Sequence, residues 1–450
     1  MKLLKRLTIA FAVLLLIAAA LPFLISLDDY IPQIENVASA RLRQPVSIKR
    51  IRFSALPLPH VTIEGLVIDT SANVSIGKVV VTPDLLSLLQ PTKVIKRIDI
   101  DSLVLTRKAI DKIPAWINSD TANSQQPPQV RVESIRFNNA RVDLGKTRLG
   151  PFDARVKLDG KGDPEDASIS TQDGRLKLRI KPDASNYLID ASAKSWTLPL
   201  GPALVFDELA IKGVATPNDA ELGKVSARLY GGTAAGKVTV SWQNGLRLEG
   251  KFNIKQLELR QAASLLSPGS HISGKLSAKP FFSGAAASAD QLVNALRLET
   301  PFNIQNGALG GVDIHKAATN LIKQGTSGGE TRFDELSGHL VMERGSYHFT
   351  QLKVVSGVLA ADGNVSISRT KQLSGRINAQ VKVVGTSANV PLNVGGTLAA
   401  PLLYPTAATI AGAAAGTAIL GAGLGTSVGA KAGDWVEGLF ARKGGNKPKN

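Results

Sequence analysis

In a chain of 450 residues without cysteine, the side chains that could do chemistry are few and poorly placed for it. Gly425-Thr426-Ser427-Val428-Gly429 spells the Gly-x-Ser-x-Gly elbow, which presents a nucleophilic serine and needs a preceding strand and a downstream histidine. No histidine follows His348, and the flanks are Ala/Gly-rich rather than strand-like. The histidines His60, His271, His315, His339 and His348 lack zinc-ligand spacing, and His339 and His348 stand too far apart to share one helical turn. Gly421, Gly423 and Gly425 begin a dinucleotide-binding fingerprint, but Thr426 stands where its third glycine belongs. Without cysteine there is no disulfide, thiolate nucleophile, iron–sulfur cluster or cysteine-ligated zinc. The motifs therefore predict no enzyme, no metal and no cofactor.

The bulk properties turn attention to surfaces. Lys+Arg number 53 against 36 Asp+Glu, a net charge of +17, which points to anionic partners, either nucleic acid or lipid head groups. Aromatic residues make up only 5%, too few for a base-stacking platform. The first residues decide between the two. Lys2, Lys5 and Arg6 precede an uncharged run from Leu7 to Leu27, closed by Asp28 and Asp29. Those 21 residues suffice for one bilayer crossing, and the upstream cations place the N-terminus in the cytoplasm. Leu7, Phe11, Leu15, Leu21, Phe23 and Leu27 are the anchor residues in this reading. A cleaved signal peptide ending at Ala18-Ala19-Ala20 is the competing reading, but Leu21-Pro22-Phe23-Leu24-Ile25 continues the apolar run past that site. Either way the bulk of the chain is exported, so nucleic acid is not expected as a partner.

Beyond the anchor, Ile31, Ile34, Val37, Ala38 and Leu42 recur at helical spacing. From Val46 to about Pro401 the pattern is period-2 alternation, as in Leu176/Leu178/Ile180, Val225/Ala227/Leu229, Val238/Val240/Trp242 and Val381/Val383. This predicts a mainly β protein, an elongated antiparallel sheet with one apolar face. Gly231-Gly232, Asn244-Gly245, Asp173-Gly174 and Asp362-Gly363 read as hairpin turns. Short helices are expected at 84–89, 260–266, 290–296 and 312–323, and Ser119–Gln129 reads as a linker.

One template recurs within the strands: two apolar residues two apart, a step of three, then two more. It fits Val61/Ile63/Leu66/Ile68, Ile98/Ile100/Leu103/Leu105, Ile135/Phe137/Ala140/Val142 and Phe252/Ile254/Leu257/Leu259. The first three copies start 37 residues apart, at 61, 98 and 135. A step of three would send the second pair to the opposite face unless an extra residue is accommodated as a bulge, which restores both pairs to one face and adds twist. Ile63, Ile98, Ile100, Leu103, Ile135, Phe137, Phe252 and Ile254 are therefore the candidate lining of an apolar groove. Pattern alone leaves open whether that face holds an acyl chain or fills itself as a sandwich.

The order of several short motifs resembles the AsmA family of bacterial inner-membrane proteins. At the N-terminus these are the anchor, 27–35 (LDDYIPQIE), 43–48 (RQPVSI) and 56–63 (LPLPHVTI). Later come Leu229-Tyr230-Gly231-Gly232 with Gly236 and Trp242, then 310–314 (GGVDI), 329–338 (GETRFDELSG), Gly345, Gly363 and 391–398 (PLNVGGTL). The short middle and the Ala/Gly-rich tail depart from the family pattern. The resemblance implies a single-pass protein of the bacterial cell inner membrane with its bulk in the periplasm. It also implies a β sheet folded into an elongated hydrophobic groove, related to bridge-like lipid-transfer proteins, which would serve phospholipid transport or outer-membrane biogenesis. The expected partners are the inner membrane and a phospholipid or other acyl lipid. As an alternative, the chain is a scaffold assisting the outer membrane's assembly machinery.

The tail carries no charge between Lys382 and Lys431, and Gly421, Gly425, Gly429 and Gly433 repeat every fourth residue. Trp435, Leu439 and Phe440 precede a basic end, an arrangement suited to a membrane-contacting helix. A flexible Ala/Gly linker is the other reading. The expected organisation is an anchor at 1–28, an N-terminal β domain at 29–118, the linker at 119–129, a middle β-repeat region at 130–300, a C-terminal β domain at 301–405 and the tail at 406–450.

Overall fold

A computed structural model describes residues 27–412, apart from positions 57, 70, 72, 111–129, 146, 200–202, 244, 267–270, 288, 321–324 and 384–385. The anchor residues Leu7, Phe11, Leu15, Leu21 and Phe23, the linker, and the tail residues Gly421, Gly425, Gly429, Gly433, Trp435 and Phe440 lie outside the described residues, as does Ser427. Among the described residues no helix is long and apolar enough to cross a membrane. The chain is mainly β, mostly antiparallel, with few short helices, and divides into two units after Lys194.

In the first unit a single-turn 3-10 helix at Leu27–Tyr30 leads into α1 (Ile31–Leu42), which Pro32 helps to start. The strands are β1 (Val46–Ser47), β2 (Arg50–Ser54), β3 (His60–Ile68), β4 (Val74–Pro83), β5 (Lys93–Thr106) and β6 (Val130–Val132). They continue with β7 (Ser134–Asp143), β8 (Arg148–Leu158), β9 (Pro164–Thr171), β10 (Leu176–Asp183) and β11 (Asn186–Thr197), whose last residues cross the unit boundary. The helix side chains hold the otherwise open edge of β1 and β2. Ile51 N–H donates to Asp28 Oδ1 at 2.9 Å, Ile48 N–H to Glu35 Oε1 at 2.6 Å, and Val46 N–H to Ser39 Oγ at 2.9 Å.

Two strand pairings among the described residues depart from the antiparallel expectation. β5 runs parallel to β6 and β7, with Ile98 opposite Ile135 and Ile100 opposite Phe137. The partners are offset by the repeat length, so the second and third template copies lie side by side in register. Asn138 Nδ2 donates to Asp101 Oδ1, its counterpart in the neighbouring copy 37 residues away, at 2.8 Å. A parallel pair needs a long crossover, and residues 107–129 connect these strands.

The second unit holds β12 (Val205–Ala215), β13 (Asp219–Leu229), β14 (Gly232–Ser241), β15 (Leu246–Glu258), α2 (Leu259–Leu266), β16 (Ile272–Ala278), β17 (Phe281–Ala286) and α3 (Ala289–Ala295). After these come β18 (Arg297–Gly310), α4 (Ile314–Asn320), β19 (Glu330–Glu343), β20 (Ser346–Val355), β21 (Leu359–Ile367), β22 (Leu373–Val383), β23 (Thr386–Gly396) and β24 (Pro401–Pro405). From β18 to β24 every neighbour pair is antiparallel. Its core centres on the fully buried Ala379 and Leu392, with α4 burying Ile314, Ala317 and Ala318 against it. Thr331 ties that helix down: its Oγ1 accepts from Ile314 N–H at 3.0 Å and donates to the Val312 carbonyl at 2.8 Å.

The step of three is solved by the same device in each copy. The second residue of the step has a left-handed backbone: Gly65 (φ 65), Ser102 (57), Asn139 (55) and Gln256 (55). On β15 the register against β16 shifts between Ile254 and Leu257. There Phe252, Ile254, Leu257 and Leu259 stay on the sheltered face, while Lys251, Asn253, Lys255 and Gln256 are exposed.

Gly231 (φ 69) makes the tight turn between β13 and β14, with Tyr230 (φ 47) before it, as a primed hairpin turn requires. Asp362-Gly363 does not turn. It lies inside β21, opposite Lys353 and Leu352, where β20 carries a bulge between Phe349 and Leu352. A Cβ on Gly363 would strike the Arg376 carbonyl oxygen and come 2.7 Å from Ile377 Cα, so the glycine answers a close backbone approach rather than a turn.

Candidate functional site

An apolar cleft of about 440 Å³ lies in the second unit. β18 contributes Phe302, Ile304 and Leu309, and β20 contributes Tyr347, Phe349, Leu352 and Val354. β19, β21 and β22 add Leu336 and Leu340, Val365 and Ile367, and Leu373 and Ile377. Leu259 of α2, Ile314 of α4 and Leu403 of β24 complete the apolar wall. Period 2 explains why one strand supplies residues two apart, and bulges explain why supply continues across the steps 304–307 and 349–352. Asn306 (φ 51) and Gln351 (φ 53) carry the left-handed backbone, and both strands shift register there. Both are exposed, so the inserted residue goes to water while the apolar pairs on either side face inward.

Polar groups at the cleft are sparse. His271 and Asp362 are exposed at its rim, and the buried Thr300 hydroxyl donates to the Pro301 carbonyl at 2.8 Å. Lys371 Nζ stands 5.4 Å from the centroid of the Tyr347 ring, which places a cation beside the lining. Phe302 and Phe349 meet edge-to-face across β18 and β20 at 6.1 Å between centroids. Such a site can hold an apolar body and offer a cation at its margin.

The residues singled out by spacing are divided among several places. Ile63 packs on Val46, Ile48 and Ile51. Leu103, Ile100 and Phe137 pack around Val74 and Ala109. Ile98 and Ile135 are half-buried partners across the parallel β5–β7 pair. Phe252 stacks on Phe282 at 5.9 Å, and Ile254 packs against the second unit's core. None of these eight lines the 440 Å³ cleft. The lining residues that spacing missed obey the same template, as 302/304/307/309 and 347/349/352/354. Gly307 at an apolar position hid the first of them, and searching for the step of three with one glycine allowed would have found both.

The histidines are dispersed. His60 Nδ1 lies 2.8 Å from the Leu58 carbonyl, His348 Nδ1 lies 3.0 Å from Ser366 Oγ, and His339 Nε2 lies 3.4 Å from Glu299. Among the described residues no group of three His, Asp or Glu is placed to hold a metal ion. The carboxylates held below their ordinary range, Asp159, Asp166 and Asp173, are in hydrogen bonds of turns and strands in the first unit. No family model, curated protein or solved structure matches the chain.

Proposed function

We propose that the chain is an AsmA-type protein anchored in the bacterial inner membrane, whose periplasmic sheet curves into a groove that holds lipid acyl chains. Its task would be phospholipid transport or outer-membrane biogenesis. The observation that carries this reading is the cleft of about 440 Å³ walled by Leu, Ile, Val and Phe side chains. An apolar space of that size gains nothing from water, which needs two to four polar partners per molecule, and gains from a hydrocarbon chain. The volume falls within the range of about 300–1,000 Å³ typical of ligand sites. Lys371 beside Tyr347 supplies a cation where an anionic head group would emerge. The uncharged run from Leu7 to Leu27 and the ordered motifs of the AsmA type support the location.

Mass spectrometry of lipids extracted from the detergent-purified full chain tests the reading. Acyl lipid recovered in fixed proportion to protein, and lost when Leu352 and Phe349 are replaced by Trp and Asp, is expected. Lipid content indistinguishable from that of a detergent-washed control would overturn it and favour the scaffold reading.

A further inference from the structure

The 84–92 connection between β4 and β5 is built inside out. Ser87, its small polar residue, is 3% exposed, whereas Leu86 is 77% and Leu89 91% exposed. Ser87 is held there by three bonds: its hydroxyl donates to the Asp84 carbonyl at 2.7 Å, its Oγ accepts from Val94 N–H at 2.8 Å, and its N–H donates to the Asp84 carbonyl at 3.1 Å. The leucines therefore point outward because the turn is pinned that way.

The turn's backbone is also satisfied from within. Leu86 N–H donates to Asp84 Oδ1 at 3.1 Å, and Gln90 N–H to the Ser87 carbonyl at 2.9 Å. Lys93 Nζ reaches back to the Leu88 and Gln90 carbonyls at 2.8 and 2.6 Å. A segment that enters lipid is favoured when its polar backbone is already paired, and these bonds pair much of this one.

A second leucine-tipped loop stands at the same end of the sheet. Ser54 pairs with His60, closing the β2–β3 connection, which exposes Leu56 by 68% and Leu58 by 61%. Val61 pairs with Val81, so that connection lies at the same end as the β4–β5 turn. Along this edge Ser39 bonds Val46, Glu35 bonds Ile48 and Asp28 bonds Ile51, so the chain, followed back to Asp28, runs toward this end of β2. Asp28 directly follows the uncharged run that ends at Leu27. Two leucine tips at the same end as the close of a bilayer-length apolar run form a patch that water-facing surfaces rarely carry.

We propose that the Leu56/Leu58 and Leu86/Leu89 tips form a shallow insertion surface that docks this end of the first unit onto a phospholipid leaflet. Lys93, its ammonium on the Leu88 and Gln90 carbonyls, keeps a positive charge at the base of the turn, at head-group level. The inference does not rest on the cleft of the second unit, and loss of either leaves the other standing.

The absence of cysteine makes the test direct. Full-length single-cysteine variants Leu58→Cys and Leu89→Cys, with Ser71→Cys in the β3–β4 turn at the opposite end, are labelled with the fluorophore NBD. They are then reconstituted into phosphatidylethanolamine/phosphatidylglycerol vesicles with or without acyl-chain nitroxide lipid. All three positions are exposed, so labelling spares the core, and far-UV circular dichroism checks the fold. Blue-shifted emission and loss of intensity to the nitroxide at positions 58 and 89, but not at 71, is the expected result. Water-like emission at 58 and 89 would overturn the proposal. So would blue-shifted emission without nitroxide quenching, since that assigns the leucines to a protein cover such as residues 111–129 or a second copy. Equal quenching at all three positions would also overturn it.

Discussion

The backbone N–H of Gln351, the left-handed residue in the β20 bulge, donates to Asn364 Oδ1 on β21 at 3.0 Å. The same arrangement recurs elsewhere. Asn139 N–H donates to Asp153 Oδ1 at 3.0 Å, and Gln256 N–H to Ser277 Oγ at 3.3 Å. A bulge takes one amide out of the ladder, and in these strands a polar side chain on the neighbouring strand takes its place. At these three steps the sheet thus keeps one apolar face without leaving the displaced amide unpaired.

The first prediction follows from that pair. Gln351→Val places a β-branched residue at φ 53, where a Cβ already crowds its own carbonyl, and should cost about 1–2 kcal/mol. Gln351→Gly should be close to neutral. Asn364→Ala, which removes the acceptor at a solvent-exposed site, should cost about 0.5–1.5 kcal/mol. Thermal unfolding followed by circular dichroism checks all three, and a Val variant as stable as the Gly variant would contradict the bulge geometry.

The sequence made the bulges legible as apolar spacing but not as residue identities. Gly65, Ser102, Asn139, Gln256, Asn306 and Gln351 share a conformation and no single side-chain type, and at 139, 256 and 351 the neighbouring strand supplies the acceptor for the bulged amide. The strand class and the short helices were legible too. The parallel β5–β7 pair was not, although the spacing of 37 contains it, because alternation looks the same in either direction. Asp362-Gly363 misled because turn chemistry and close backbone approach both select glycine. The cleft was hidden because template strands facing it and template strands packed elsewhere carry the same pattern. Only the placement of α2, α4 and β24 separates them.

A second prediction concerns acid stability. Asp166 accepts from Arg179 Nε at 2.8 Å, and that bond, with Arg179's charge, holds its carboxyl below the ordinary value. A depressed carboxylate contributes stability above its unfolded value of about 3.9, and that contribution is lost as pH falls through the lower folded value. Asp166→Asn should therefore lower the melting temperature slightly at pH 7 and less at pH 2. The size is limited by solvent at this exposed pair. Equal losses at both pH values would show that the side chain matters for packing rather than charge.

A third prediction tests sheet packing in the second unit. Gly250 is buried on β15, and a Cβ there would run into the ring of Phe282, which stacks on Phe252. Gly250→Val should destabilise by about 1–3 kcal/mol through overpacking. Pairing it with Phe282→Leu should recover part of that loss, a coupling expected of residues in contact. Urea unfolding of the single and double variants measures it, and strict additivity would contradict the contact.

The fourth prediction asks what the cleft is for by changing its volume without changing its character. Leu352 on β20 lines the cleft and is only half-buried, so Leu352→Trp can add an indole to the open space instead of straining a closed core. If acyl chains occupy the cleft, the variant should retain the wild-type circular dichroism spectrum yet carry several-fold less lipid after purification. The reverse change sharpens the reading. Phe349→Ala enlarges the same space, and it should cost about 3–5 kcal/mol if the cleft is empty, as a large-to-small core change does. With a chain present, the ligand fills the new volume and the cost falls, because anything bound only to the folded state stabilises it by mass action. Comparing the Phe349→Ala melting temperature before and after delipidation separates the two. A gap between the two preparations that is larger for the variant than for the wild type marks an occupied cleft, and no gap in either protein marks an empty one.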